Sequence, residues 1–226
     1  MQALGWRRPG VASRCRKAAE KGVVRMAEWA EAGASKVGAG KSGATACRAW
    51  FEGDPLLEDY HDHEWCKPSH DDRFQFEMLC LEGASTGLSW KTIMRKRRTY
   101  LDAFCNFDVA ACAALGDVAL EGLLENPGIV RNRAKVFGVR RNARAVLRIQ
   151  RELGSFDAYL WDFVGGSPID GHWASVDQIP TKSDESRRLS ADLRHRGMVF
   201  VGPTITYSFM QAVGLVNDHL RDCPCR

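Results

Sequence analysis

From Asp71 onward, apolar residues recur at helical rather than strand spacing. Asp71 or Asp72 can cap a helix that runs through Phe74, Phe76, Met78, Leu79 and Leu81. Gly83 and Gly87 bracket a short break. A basic amphipathic helix follows, with Leu88, Trp90, Ile93 and Met94 turned inward and Lys91, Arg95, Lys96, Arg97 and Arg98 turned out. Asp108 and Asp117 open two short helices, 108–115 and 117–124. Pro127-Gly128 break the chain before a long helix over roughly 130–153, whose inner side carries Val136, Val139, Ala143, Val146, Leu147 and Ile149. Gly154-Ser155 stop it and cap a helix over 156–164. Residues 168–180 read as a loop, 183–196 as a polar helix and 205–220 as a final apolar helix. No strand run is convincing, and 198–206 is the one ambiguous stretch. The pattern predicts an all-α bundle.

Residues 1–45 lack a sustained apolar face, apart from a short helical stretch near 23–32. They read as a flexible basic leader or an organelle transit peptide, with acids at Glu20, Glu28 and Glu31 weighing against the latter. The remainder, 46–226, is one domain. Of the net charge of +4, residues 1–46 contribute +6, which leaves −2 for the rest, so net basicity of the body does not argue for nucleic acid. With 45% apolar and 27% charged residues, the chain of 226 excludes a disordered or fibrous protein. No apolar run is long enough to span a membrane. Eight scattered cysteines and no hydrophobic leader segment point to a reducing, intracellular compartment. Cys80, Cys105 and Cys112 sit in apolar stretches and read as buried thiols.

Three constellations carry chemistry. His219 and Cys223 are four residues apart on or at the end of the last predicted helix, a spacing that presents both to one metal ion. Their partners would come from Cys47, His61, His63, Cys66 and Cys225, and a closed structural site suits them better than a catalytic one. Gly202-Pro203-Thr204 opens a helix, as an anion-binding turn or as a plain helix–helix connection. Glu82 lies among apolar residues with Trp90 eight positions on and Tyr60 upstream. Together they would make a pocket for a flat, cationic, hydrogen-bonding ligand, or else core aromatics beside a solvated acid.

Several segments resemble the DNA-3-methyladenine glycosylase I family: Tyr60-His61-Asp62-His63-Glu64-Trp65, Phe76 to Gly83, Gly87-Leu88-Ser89-Trp90, Gly128 to Lys135, Asn142 to Ala145, and Tyr159 to Val164. The closing stretches Phe200-Val201-Gly202-Pro203-Thr204, Tyr207 to Ala212 and Gly214 to His219 are the most telling. The likeness runs in order from about Cys47 to Cys223. It implies a helix-hairpin-helix glycosylase bundle in which a structural zinc on Cys47, His61, His219 and Cys223 joins the two ends of the domain. It implies a monofunctional base-excision enzyme that flips 3-methyladenine, with 3-methylguanine also in view, out of double-stranded alkylated DNA and leaves an abasic site. Glu82 and Tyr60 would be catalytic, reading the base edge; Trp90 would stack, with Trp50 and Trp65 as walls; Leu88 would be the wedge; and Gly202, Pro203 and Thr204 would meet the phosphates. A monomer is expected. The alternatives are a non-catalytic zinc-stabilised binder of alkylated DNA and a zinc-stapled helical module with a protein partner. The chain departs from the family at Ala84-Ser85-Thr86, where a glutamine is usual, at Cys66, where glycine is usual, at Leu57, near which an aromatic is expected, and in a Cys47–His61 spacing one residue longer. Asp218 is expected to support a metal ligand, and Asp222 to be dispensable.

Overall fold

The computed structural model describes Cys47, Phe51 and residues 53–226. The leader reading and Trp50 therefore lie outside the described residues. Asp54 caps α1 (Pro55–His63) through Leu56 N–H, and Pro55 supplies a first helical position that needs no donor. Asp71 caps α2 (Asp72–Ser85), as its position predicts. Ser89 caps α3 (Trp90–Ala103), and Asp108 caps the short α4 (Val109–Ala113). Gly116, rather than Asp117, caps α5 (Asp117–Leu123). The long α6 (Arg133–Leu153) begins at an Asn132 cap, three residues later than its apolar pattern suggests, and stops at Gly154 with φ +90°. Ser155 then caps α7 (Phe156–Asp162). A capping box at Ser183 and Ser186 opens α8 (Asp184–His195). Pro203 begins α9 (Pro203–Ala212).

Helix α2 is the central rod. Every residue from Gln75 to Ala84 is buried, and the helix packs on α3, α6, α7 and α9. Phe76, Met78, Leu79 and Leu81 lie fully inside with Phe104, Phe107, Phe156 and Phe209. Each such side chain adds about 1.5–3 kcal/mol of apolar burial. Helix α6 packs against α4, and α8 against α9.

Helix α1 lies outside the elements predicted above; it buries Leu57, Tyr60 and His61. Three expectations are corrected. The predicted 168–180 loop holds a two-residue strand, β1 (Ile169–Asp170), paired in parallel with β2 (Val216–Asn217). The last helix ends at Ala212, because Gly214 turns the chain at φ +72°. A Cβ on Gly214 would meet the Lys67 carbonyl carbon at 2.3 Å, so only glycine fits. Residues beyond it stay apolar because they are buried in a return segment. Finally, Cys80 and Cys112 are buried free thiols, but Cys105, also buried, is disulfide-bonded.

Candidate base pocket and metal centre

The return segment after Gly214 carries His219 and Cys223 back to the start of the domain. They are not on one helix, so their four-residue spacing is not helical geometry; a turn brings them together. Helix α1 presents His61 to the same point, beside Cys47. The ligating atoms of Cys47, His61, His219 and Cys223 lie within 4.8 Å of one another, and all four residues are buried. Cys47 Sγ is 3.3 Å from His61 Nε2 and 3.7 Å from His219 Nδ1. Cys223 Sγ is 3.4 Å from His219 Nδ1 and 3.8 Å from His61 Nε2. A tetrahedral ion with bonds of about 2.3 Å to sulfur and about 2.05 Å to nitrogen sets sulfur–nitrogen separations near about 3.6 Å. The donor set fits a closed metal site.

The other nitrogen of each imidazole is fixed. Asp62 Oδ1 is 2.8 Å from His61 Nδ1, and the Trp65 carbonyl oxygen is 3.1 Å from His219 Nε2. These contacts orient the rings. Burial, and then neighbouring His61, hold His219 down to about 4, which leaves it neutral. Burial pushes the Cys223 thiol up to about 11, so a metal must displace its proton. Asp218 is fully buried and touches neither histidine through its carboxylate; it accepts from Trp173 Nε1 at 2.7 Å, Tyr207 Oη at 2.7 Å and Gln211 Nε2 at 2.8 Å. It pins the ligand-bearing segment to α9. Asp222 is exposed.

Cys66, where glycine was expected, takes φ +61° and keeps the left-handed turn. Its amide donates to the Gln211 carbonyl at 2.8 Å, and its sulfur accepts from the Asp218 amide at 3.3 Å.

The second centre lies where α1, α2 and α3 meet. Glu82 is 6% exposed and has no cation beside it. Burial pushes its carboxyl up to about 8, against a smaller downward pull from the Ser85 hydroxyl. Tyr60 is buried, and its phenol is held well above the ordinary range by burial and then by the Glu82 charge. Its ring lies 5.6 Å from that of Trp90, tilted by 53°. Trp90, at the start of α3, is half-buried, and its indole Nε1 is buried without a hydrogen-bond partner. A buried donor without a partner and a buried acid without a cation are each costly in a closed core.

Trp65 is placed elsewhere. It stacks on His61 at 5.6 Å and meets His219 edge-on at 4.9 Å, so it packs the cluster of Cys47, His61, His219 and Cys223. Phe51, which the sequence reading passed over, touches both centres: its ring is 6.3 Å from Tyr60, 5.2 Å from His61 and 5.6 Å from Trp65. Its position beside Trp50 was the available signal.

Between α2 and α3 the chain makes an exposed turn. Gly87 takes φ +77°, and Leu88 follows at 44% exposure rather than facing inward. The Ser85 hydroxyl donates to Glu82 O at 2.7 Å and the Thr86 hydroxyl to Gly83 O at 2.9 Å, so both finish α2 instead of reaching outward. Lys135 of α6 donates to Ala84 O at 2.9 Å and Thr86 O at 2.6 Å.

Behind the turn, Arg97 is not an outward charge. It is 18% exposed and bonds Glu64 at 2.8 Å and Glu77 at 2.6 Å, while Arg73 bonds Glu77 at 2.8 Å. The hairpin comes next. Phe200, at φ +58°, wedges between Gly83 and Gly138, and Gly202 starts α9 with no side chain over the helix amides.

Known proteins resemble this chain over most of its length. The methyladenine glycosylase family model matches residues 50–226. The DNA-3-methyladenine glycosylase of Haemophilus influenzae is 41% identical over 177 residues, covering 78% of this chain and 96% of that protein. DNA-3-methyladenine glycosylase 1 of Escherichia coli is 43% identical over 176 residues, covering 78% and 94%. A solved structure of 3-methyladenine DNA glycosylase I from Staphylococcus aureus, described as showing the structural basis of 3-methyladenine recognition, superposes with a TM-score of 0.79 at 36% identity and covers 81% of this chain and 97% of that one. The chain belongs to the methyladenine glycosylase family.

Proposed function

We propose that the domain 46–226 is a monofunctional, monomeric glycosylase that removes 3-methyladenine from double-stranded alkylated DNA inside the cell, and that residues 1–45 are its leader. The observation that carries this reading is the buried, cation-free Glu82 whose charge reaches Tyr60, the ring that lies 5.6 Å from Trp90. N3-methylation makes the base cationic. At pH 7, a carboxyl held near 8 is mostly protonated, and ionising it costs about 1.4 kcal/mol per pH unit below its pKa. A cationic guest offsets that cost, whereas neutral adenine does not. Entry of the lesion is therefore coupled to loss of the Glu82 proton, and the resulting carboxylate accepts from the exocyclic amine. Stacking on Trp90 adds roughly 1–3 kcal/mol, with a cation–π component.

Little further acid chemistry is needed. The C1′–N9 bond breaks, its electron pair neutralises the departing base, and water adds to C1′ and loses a proton to solvent. Extrusion costs a few kcal/mol. Leu88, already in solvent on its turn, fills the vacated stack, and Gly202, Pro203 and Thr204 meet a phosphate at the open start of α9. Tyr60 fixes the base edge. Cys47, His61, His219 and Cys223 would hold a zinc ion that staples the two ends of the domain and lies outside the reaction.

The test is release of free base from duplex treated with a methylating agent. The wild-type protein is expected to release 3-methyladenine, and Glu82→Gln to release it far more slowly at equal protein. Equal rates would overturn the role of Glu82, and no release by the wild type would overturn the activity.

A further inference from the structure

The net charge of the body conceals a strongly basic groove along α6. Two adjoining cavities, about 610 and 430 Å³, share Phe137 and Arg141. The first runs between α6 and the Gly202 hairpin and reaches Arg194, and the second continues along Arg144 and Arg148. Other arginines of this region are neutralised: Arg133 by Glu121, Arg140 by Asp117 at 2.6 Å, and Arg196 by Asp192 and Glu152. Arg141, Arg144, Arg148 and Arg194 are exposed and have no acid partner among the described residues.

Three of these heads are already oriented. Arg141 donates to Gly197 O at 2.6 Å, Arg144 to Ala113 O at 3.1 Å and Arg148 to Arg196 O at 2.5 Å. A guanidinium has five donors, so each keeps several for a ligand and loses little freedom in binding it. Arg141 and Arg148 stand about 10 Å apart along α6, the axial rise of about three nucleotides of one strand. The track starts beside Gly202 and leads away from Leu88.

We infer that this groove is a second track for duplex DNA: Arg141, Arg144, Arg148 and Arg194 hold phosphates of the arm that leaves the hairpin, without regard to sequence or damage. The inference rests on the DNA-repair reading above for its choice of polyanion. Lesion contacts lie at Glu82 and Trp90, so the groove adds affinity to damaged and undamaged duplex alike and keeps the protein on DNA while it searches.

The test is the salt dependence of binding to an undamaged duplex and to the same duplex carrying one alkylated base, for the wild type and for Arg144→Gln/Arg148→Gln/Arg194→Gln. The triple variant is expected to lower the slope of log affinity against log salt by about 2.7, and to weaken both duplexes by the same factor. The Arg194 side chain makes no hydrogen bond or ion pair among the described residues, so Arg194→Gln alone breaks no internal polar contact and is expected to lower the slope by about 0.9. An unchanged slope in that single variant, or a loss confined to the damaged duplex, would overturn the inference. Binding is read without excision, so a wild-type protein that binds with the steep slope but releases no base supports the groove while defeating the activity.

Discussion

Glu82→Gln separates stability from function, and the structure gives the sign and size of both effects. Glu82 in the folded protein titrates near 8, against an ordinary glutamate value of 4.5. Between those values the native state holds a proton that the unfolded chain has released. Stability therefore falls as pH rises from about 4.5 and levels off above about 8. Each unit is worth about 1.4 kcal/mol, so the full span is about 5 kcal/mol and the share accrued by pH 7 is about 3 kcal/mol. Glutamine resembles the protonated acid and does not titrate. The variant should match the wild type below about pH 4, lead it by about 1 kcal/mol at pH 5, and at pH 7 be about 3 kcal/mol more stable, a midpoint gain of about 6–12 °C. Urea or thermal unfolding of both proteins at pH 5, 7 and 8.5 measures the difference, from which groups common to both cancel. A stability gap that does not widen with pH would refute the argument that Glu82 is held uncompensated in its pocket. The stabilised variant should also be the poor enzyme, because the strain it relieves is what favours a cationic guest.

Other outcomes follow from the same geometry. Arg97→Met leaves Glu64 without a cation and Glu77 with Arg73 alone, and should destabilise by about 3–5 kcal/mol in urea unfolding. Gly214→Ala combines positive φ with a collision against the Lys67–Pro68 peptide and should lower stability by about 2–4 kcal/mol, seen as a drop in the urea midpoint. Leu88→Ala should leave the melting midpoint almost unchanged, since the side chain is exposed, but slow excision from paired duplex. Removing metal with a chelator, or Cys223→Ser, should lower the melting midpoint and expose the two ends of the domain to protease, with bound zinc measured by atomic absorption.

Much of this architecture is legible in the chain because local chemistry and burial agree. Asp71 and Ser155 cap helices where their positions say they should, and Gly154 ends α6. The failures are places where burial is decided by distant residues. Helix α1 hides Tyr60 and His61 rather than aliphatic residues, so no stripe announces it. Residues after Ala212 are apolar because a returning segment is buried, and only the contact at Gly214 reveals the turn. Arg97 looked like one more exposed cation, because its acids come from α2 and from the end of α1. His219 and Cys223 were picked out for a helical spacing they do not have, yet they converge with Cys47 and His61. Trp65 was expected at the base and packs the histidines. The basic groove was invisible in a body of net charge −2, because pairing neutralises some arginines and leaves their neighbours bare.

The most direct test of the central claim is a crystal structure of this protein soaked with free 3-methyladenine. The account predicts the purine stacked on Trp90 with its amino edge on Glu82. Density for the base anywhere that leaves Trp90 and Glu82 untouched, or an empty pocket at saturating base, would contradict it.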